Sequence, residues 1–336
     1  MSRQQSAIIK GLAILLMLVY HLQKAFGVDF LTPSTSAFIS AVAHPIMYFV
    51  IISGYGLYMA HENGRLTWKY LLKRSARLYI SFWLVMAVFI FGIATWMYPG
   101  RFDLSPYRLI TNFLGWRWDY CQFTWFFLPY ILMTFCSKWV FWVIKRIGSL
   151  PALAVFFIIT MAMTYLVGRF YDPFLRHHQP IYLVVLTLQT LFCFALGAAM
   201  ARRVLAGKSL TWSKLQGKNP IVFLVLITAF ILKGFSNTSF LHIPYFVPLV
   251  VWIILHFKLT WVSKYIFIPL GDKSMMMWFA HGYLAFKMFS EYFLLIPNKF
   301  LIWLAWVIVS YCVACLLMPV SDWICQRLKL SSSTKK

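Results

Sequence analysis

An all-α bundle that crosses a membrane about ten times is the fold class this sequence predicts, and three observations predict it. The chain has 336 residues, 62% of them apolar and only 12% charged. A soluble domain carries about 25% charged residues, so this chain has too few to cover a surface in water. The apolar residues also fall into runs near the length of about 20 that spans a bilayer core. Its net charge of +23 would suggest a nucleic-acid partner in a soluble chain. Here the cations have few places except the membrane rims, so no nucleic acid is expected.

The runs lie at about 8–26, 37–60, 78–98, 123–144, 152–168, 181–200, 220–235, 245–257, 277–295 and 300–319. The first is too long for the core of a signal peptide and no small-residue cleavage site follows it, so it reads as a retained span. The second and third flank a segment rich in Lys and Arg. The fourth follows a long connection at 99–122, and the fifth follows Lys145 and Arg146. The sixth follows a second long connection at 169–180, and the seventh a basic stretch between Arg202 and Lys218. The eighth is short and contains Pro248, which makes it the weakest of the set, and two ordinary runs close the chain. No linker, low-complexity tract or internal repeat divides these elements. The expectation is one membrane domain over 1–336 with a short basic tail from about 321 to 336.

Charge sets the orientation. Of 31 Lys and Arg, the larger share falls in the connections that share a side with both termini. Among them are Arg65, Lys69, Lys73, Arg74, Arg77, Arg202, Arg203, Lys258, Lys264 and Arg327. The opposite connections hold fewer, including Arg101, Arg108, Arg117 and Lys299, while Lys10, Lys138 and Lys287 lie inside spans. The positive-inside bias therefore predicts both termini in the cytoplasm. The long outer connections carry Asp103, Asp119 and Asp172, and their aromatic cluster Trp116, Trp118 and Tyr120 reads as interface-belt residues, with a grip on sugar rings as the alternative.

Two ionisable residues interrupt the first span, Lys10 and His21. An ionisable group inside a membrane marks a functional site by default. Eleven helical steps of about 100° put the two on one face, about 16 Å apart along the axis. Lys10 alone could be a cation snorkelling to the interface. A neutral imidazole at position 21 could serve as a general base toward a hydroxyl. Arg74 and Arg77, three residues apart, share a helical face, and two guanidinium forks side by side suit a phosphate or pyrophosphate. Carboxylates in the spans are few, Glu291 near the outer end of the ninth and Asp272 before it. That scarcity weighs against a proton-coupled transporter. The six cysteines show no repeated metal-ligand pattern, so neither a metal site nor a disulfide framework is expected; Cys312 and Cys315 form a CxxC inside an apolar run and read as buried packing.

The motifs resemble those of the family-three membrane acyltransferases. Lys10-Gly-Leu-Ala-Ile-Leu-Leu-Met-Leu-Val-Tyr-His21 is similar to that family's first-helix signature, a basic residue eleven positions before a His. Tyr48-Phe-Val-Ile-Ile-Ser53-Gly54-Tyr55 is similar to its FFxxSGY pattern and Lys73-Arg74-Ser-Ala-Arg77-Leu-Tyr79 to its RxxRLY. Trp125-Phe126-Phe127-Leu128 resembles its WFL. Leu270-Gly271-Asp272-Lys273-Ser274, then Met277-Trp278-Phe279-Ala280-His281, resembles its LGxxS…YxxH. The first-helix basic residue is commonly Arg in that family, whereas this chain has Lys10, which lacks the bidentate fork.

The resemblance implies transfer of an acyl group, usually acetyl from acetyl-CoA, to a hydroxyl of a cell-surface polysaccharide or its lipid-linked precursor at a bacterial inner membrane. In that reading His21 is the catalytic base, His281 orients or relays to it, and Glu291 is a further catalytic candidate. Lys10, Arg74 and Arg77 hold the acyl-CoA, which is a donor substrate, and no tightly bound cofactor is expected. The partners are the donor, a glycan or lipid-linked sugar, membrane lipids and polysaccharide-assembly proteins. Two rivals are a transporter of a lipid-linked glycan or small solute, and a non-catalytic membrane scaffold. A transporter calls for inverted repeats with paired broken helices, and none is visible in the sequence.

Overall fold

The computed structural model describes residues 1–27, 30–236, 245–258 and 260–330, and among these it is helical with no strand. Lys335 and Lys336 of the predicted basic tail lie outside the described residues. The chain opens with α1 (Arg3–Phe26), α2 (Pro33–Val42) and α3 (Pro45–Glu62). Then α4 (Trp68–Met86) runs through a π-helical stretch, Ala87–Ala94, into α5 (Thr95–Met97). A short α6 (Pro106–Phe113) and a 3₁₀ turn, Gln122–Thr124, precede α7 (Phe127–Ile147). Next come α8 (Ser149–Phe170), α9 (Gln179–Gln189), α10 (Leu191–Leu205), α11 (Asn219–Phe235) and α12 (Val247–Ile254). The last part comprises a π-helical Ser263–Phe267, α13 (Ile268–Gly282), a π-helical Tyr283–Met288, α14 (Ser290–Leu294) and α15 (Lys299–Arg327).

Among the described residues, seven stretches are long and apolar enough to cross a bilayer: Arg3–Phe26, Pro33–Glu62, Trp68–Met97, Gln122–Ile147, Ser149–Phe170, Gln179–Leu205 and Lys299–Arg327. They account for seven of the ten predicted runs. The remaining three are shorter or broken. α11 has 17 residues and α12 has 8, the latter with Pro248 in its first turn. The run at 277–295 is shared among α13, a π-helical turn and α14, because a change in hydrogen-bond register leaves no mark in hydropathy.

Two boundaries move. α4 starts at Trp68 rather than near 78, capped by Thr67, whose hydroxyl accepts from the Tyr70 amide at 3.2 Å. Lys69, Lys73, Arg74 and Arg77 are therefore helical residues and not part of a connection. α15 continues through Pro319 to Arg327 instead of ending near 319. The CxxC reading is also corrected: Cys312 is exposed and Cys315 only partly buried. A helix in lipid can leave apolar side chains on its outer face at little cost, so an apolar run alone does not imply burial.

The described chain forms two compact units, one of Met1–Tyr20, Thr32–Leu66 and Pro129–Gly271, the other of His21–Leu31, Thr67–Leu128 and Asp272–Lys336. In the first, glycines set the helix spacing. A Cβ on Gly54 of α3 would strike the Phe194 carbonyl oxygen of α10, and one on Gly197 of α10 would strike that of Ile51. The same reciprocity joins Gly11 of α1 to the Phe267 carbonyl and Gly271 of α13 to that of Ala7. Lipid tails are as apolar as Leu, so helices in a bilayer associate through close packing, which small residues permit. Polar pins supplement it: the Ser53 and Tyr130 hydroxyls meet at 3.0 Å, and Arg202 donates to the Ile144 carbonyl at 2.8 Å.

In the second unit α4 packs along α15, where the buried Ser81 and Ser321 hydroxyls meet at 2.8 Å and the Lys73 ammonium donates to the Lys329 carbonyl. Phe82, Phe127 and Phe279 form an aromatic core, with the Phe82 and Phe127 ring centroids 4.4 Å apart. Trp83 Nε1 donates to the Phe113 carbonyl and the Tyr79 hydroxyl to that of Leu114, which ties the end of α6 to α4.

Replacement of Gly54 by Leu is expected to destabilise the protein by about 1–3 kcal/mol, the usual cost of overpacking. Gly56, on the same helix with open space around its Cα, is the control: Gly56→Ala should be neutral or slightly stabilising. Thermal unfolding in detergent distinguishes them, and equal midpoints would refute the packing role of Gly54.

Candidate functional site

The second unit brings two of the predicted site residues together. His21, near the C-terminal end of α1, and His281, in the last turn of α13, have ring centroids 5.5 Å apart and planes within 20° of parallel. Phe123, on the 3₁₀ turn, stacks on His21 at 3.9 Å and on His281 at 5.0 Å. His21 is 8% exposed and His281 0%, so both imidazoles sit away from bulk solvent.

Hydrogen bonds explain why these rings hold their places. Trp278 Nε1 donates to the Phe123 carbonyl at 2.9 Å, and Trp306 Nε1 of α15 donates to the His281 carbonyl at 3.1 Å. The 3₁₀ turn closes on Cys121, whose carbonyl accepts from both the Thr124 amide and the Thr124 hydroxyl. Gly282 lets this turn approach α13, for a Cβ there would collide with Cys121 Sγ and the Phe123 ring. The π-helical turn begins directly after it, and Tyr283 of that turn stacks on Phe89 at 5.2 Å. Such wide turns are frequent at functional sites.

The protonation pattern of His281 follows from its partners. Nδ1 lies 2.7 Å from the Trp278 carbonyl oxygen. A carbonyl can only accept, so Nδ1 carries the hydrogen and Nε2 keeps the lone pair in the neutral ring. That Nε2 is buried and has no hydrogen-bond partner among the described residues. An imidazole with one nitrogen tied to backbone and the other holding a free lone pair is equipped to accept a proton from a hydroxyl or to orient one.

The other predicted residues are distributed differently. Arg74 is half-buried and Arg77 exposed, one turn apart near the start of α4 in the same unit. Lys10 is half-buried on α1, within the first unit. Glu291 is exposed in the first turn of α14, in the same unit as the histidines. Sequence reasoning missed Phe123, Gly282 and Trp306. With aromatics at 19% of the chain, neither Phe123 nor Trp306 stands out from its neighbours; the spacing from the histidine motif is the one signal that could have drawn attention to Gly282.

The connection at 99–122 is built around Asp119. Arg117 grips it with two hydrogen bonds, at 2.7 and 3.3 Å, and Arg108 adds a third at 2.6 Å. The Tyr120 hydroxyl donates to the Asp103 carbonyl, and its amide to Asn112 Oδ1. Tyr120 is thus a buried pin of the loop rather than an open aromatic face.

The sequence matches the family described as "Acyltransferase domain" over residues 6–319, nearly its whole length, and the chain therefore belongs to the family-three membrane acyltransferases. It is an integral membrane acyltransferase. No curated protein and no solved structure matches it.

Asp119 lends itself to a pH test. Burial pushes its carboxyl up, but the hydrogen bonds and charges of Arg117 and Arg108 outweigh this and hold it below its ordinary value of 3.8. A depressed carboxylate contributes stability that is complete above its unfolded pKa and is lost as pH falls through the folded one. Limited proteolysis within 99–122 should accelerate as pH drops into that range, with an acid-stable protease as probe. Asp119→Asn is expected to be cut faster at neutral pH and to show a smaller further change on acidification. An unchanged acid response in the variant would remove Asp119 as the cause.

Proposed function

We propose that the protein is an O-acyltransferase that moves an acetyl group from cytoplasmic acetyl-CoA to a hydroxyl of a cell-surface polysaccharide or its lipid-linked precursor. The observation that carries this reading is the buried pair of imidazoles, His21 and His281, one of which has its lone pair fixed on Nε2. His21 takes the proton of the acceptor hydroxyl as the oxygen attacks the thioester carbonyl. The carbon–sulfur bond breaks, and the CoA thiolate leaves and recovers the proton. His281 orients the acceptor or relays the proton. Family membership supports acyl transfer itself.

The donor's phosphates are assigned to Arg74 and Arg77, and Lys10 is a further donor-binding candidate, a point charge in place of the more common guanidinium. This assignment requires both termini and the start of α4 to face the cytoplasm, where acyl-CoA is made, and 99–122 to face outward. The setting is a bacterial inner membrane. Glu291, exposed on α14, is kept as a further catalytic candidate with no step assigned to it.

Mass spectrometry of surface glycans from cells with and without the gene should show the increment of one acetyl group. His21→Ala should lower that acetylation by about 10²- to 10⁴-fold while membrane expression persists, the usual loss on removing a general base. Acetylation at the wild-type level would remove His21 from the mechanism. Donor binding gives a separate readout: Arg74→Ala with Arg77→Ala should weaken acetyl-CoA binding, and Lys at both positions should restore it only in part. Unchanged affinity in the double Ala variant would return these cations to a topological role.

A further inference from the structure

Among the described residues, two cations in the unit that holds the histidine pair stand without a carboxylate of their own. Lys287 is half-buried in the π-helical turn that follows His281, and its ammonium lies 5.2 Å from the Phe286 ring centroid. Arg101 is exposed in the connection after α5, its guanidinium 5.2 Å from the ring centroid of Tyr98. The Tyr98 hydroxyl donates to the Met288 carbonyl at 2.7 Å, which joins the two segments, and the two charges are near enough to repel. Among the described residues neither cation has a carboxylate within 4.0 Å, whereas Arg108 and Arg117 both do. Asp119 bears on Lys287 at longer range, yet its oxygens are already engaged by Arg108 and Arg117. The neighbouring Cys121 thiol offers no compensating charge while protonated. An ionisable group in this setting is costly unless something meets it.

Position says what meets it. Phe286 packs on Phe123 at 5.5 Å, and Phe123 stacks on both histidines. One aromatic side chain therefore separates the cation-bearing turn from the rings assigned to proton transfer. We infer that Lys287 and Arg101 form an anion subsite that holds a carboxylate or phosphate of the acceptor, and so presents a nearby hydroxyl to His21 and His281. The proposal rests on the transfer reading above and narrows it: the acceptor is an acidic glycan or a sugar on a phosphate-bearing lipid. Arg101 supplies the planar fork and Lys287 the point charge.

The test compares glycan acetylation in cells expressing wild type, Lys287→Met, Lys287→Arg and Arg101→Gln at matched membrane levels. Lys287→Met and Arg101→Gln should each lower acetylation by about tenfold or more, the effect of losing a charge-assisted hydrogen bond. Lys287→Arg should retain most of it, which a purely structural lysine would not allow, and acetyl-CoA binding to the purified variants should match wild type. If wild type itself adds no acetyl group, the transfer reading fails. If wild type acetylates and Lys287→Met does so equally, the subsite is overturned while that reading stands. Native mass spectrometry with phosphatidylglycerol separates the remaining source of the anion. Loss of bound lipid in Lys287→Met with acetylation intact would assign the cation to a membrane headgroup and overturn the acceptor role.

Discussion

The close approach of α1 and α13 is the constraint from which the rest of the molecule follows. Gly11 faces the Phe267 carbonyl and Gly271 faces the Ala7 carbonyl, so each glycine sits against the residue four positions before the other. That reciprocity brings the two backbones close at both glycines. Each is followed, ten residues on, by a histidine, which at about 1.5 Å per residue is the same rise of about 15 Å on each helix. No hydrophobic force between helices in lipid would fix this register unaided; backbone packing at residues without a side chain can.

Much of the fold was legible because a bilayer imposes a simple rule. Apolar length announces a span, and seven long helices answer to seven runs read from composition. The failures have physical causes. Hydropathy does not see the cationic turns of α4, since it detects the apolar part of a helix and not the amphipathic part that leads into it. Nor does it see a shift to π register, which divides the predicted run at 277–295. The motif glycines were legible as a pattern but not as packing devices, because their role depends on which carbonyl lies opposite.

The candidate site was legible in part. His21 stands out as an ionisable group in apolar company, and His281 closes a motif. Their adjacency could not be read from spacing, because the chain between them covers most of the protein. Phe123 and Trp306 were invisible for the opposite reason, too many similar residues. The hydrogen bonds that Trp278 and Trp306 make to the Phe123 and His281 carbonyls are tertiary facts, and each indole looks like any other in a membrane sequence. Lys287 was visible as a cation inside a span, yet only its link through Phe286 to Phe123 distinguishes it from an ordinary interfacial lysine.

The two histidines sit near opposite ends of the polypeptide, and this has a bearing on biosynthesis. α1 is made first, but its partner α13 and the Trp306 of α15 that steadies His281 emerge only when translation is almost finished. Contacts so distant in sequence form late, after the intervening helices have been inserted. A ribosome that stalls before α13 therefore leaves a fragment with His21 but without His281. Such a fragment is a bundle of helices that lacks the assembled pair. Assembly of the pair is then complete only once α13 and α15 have been made.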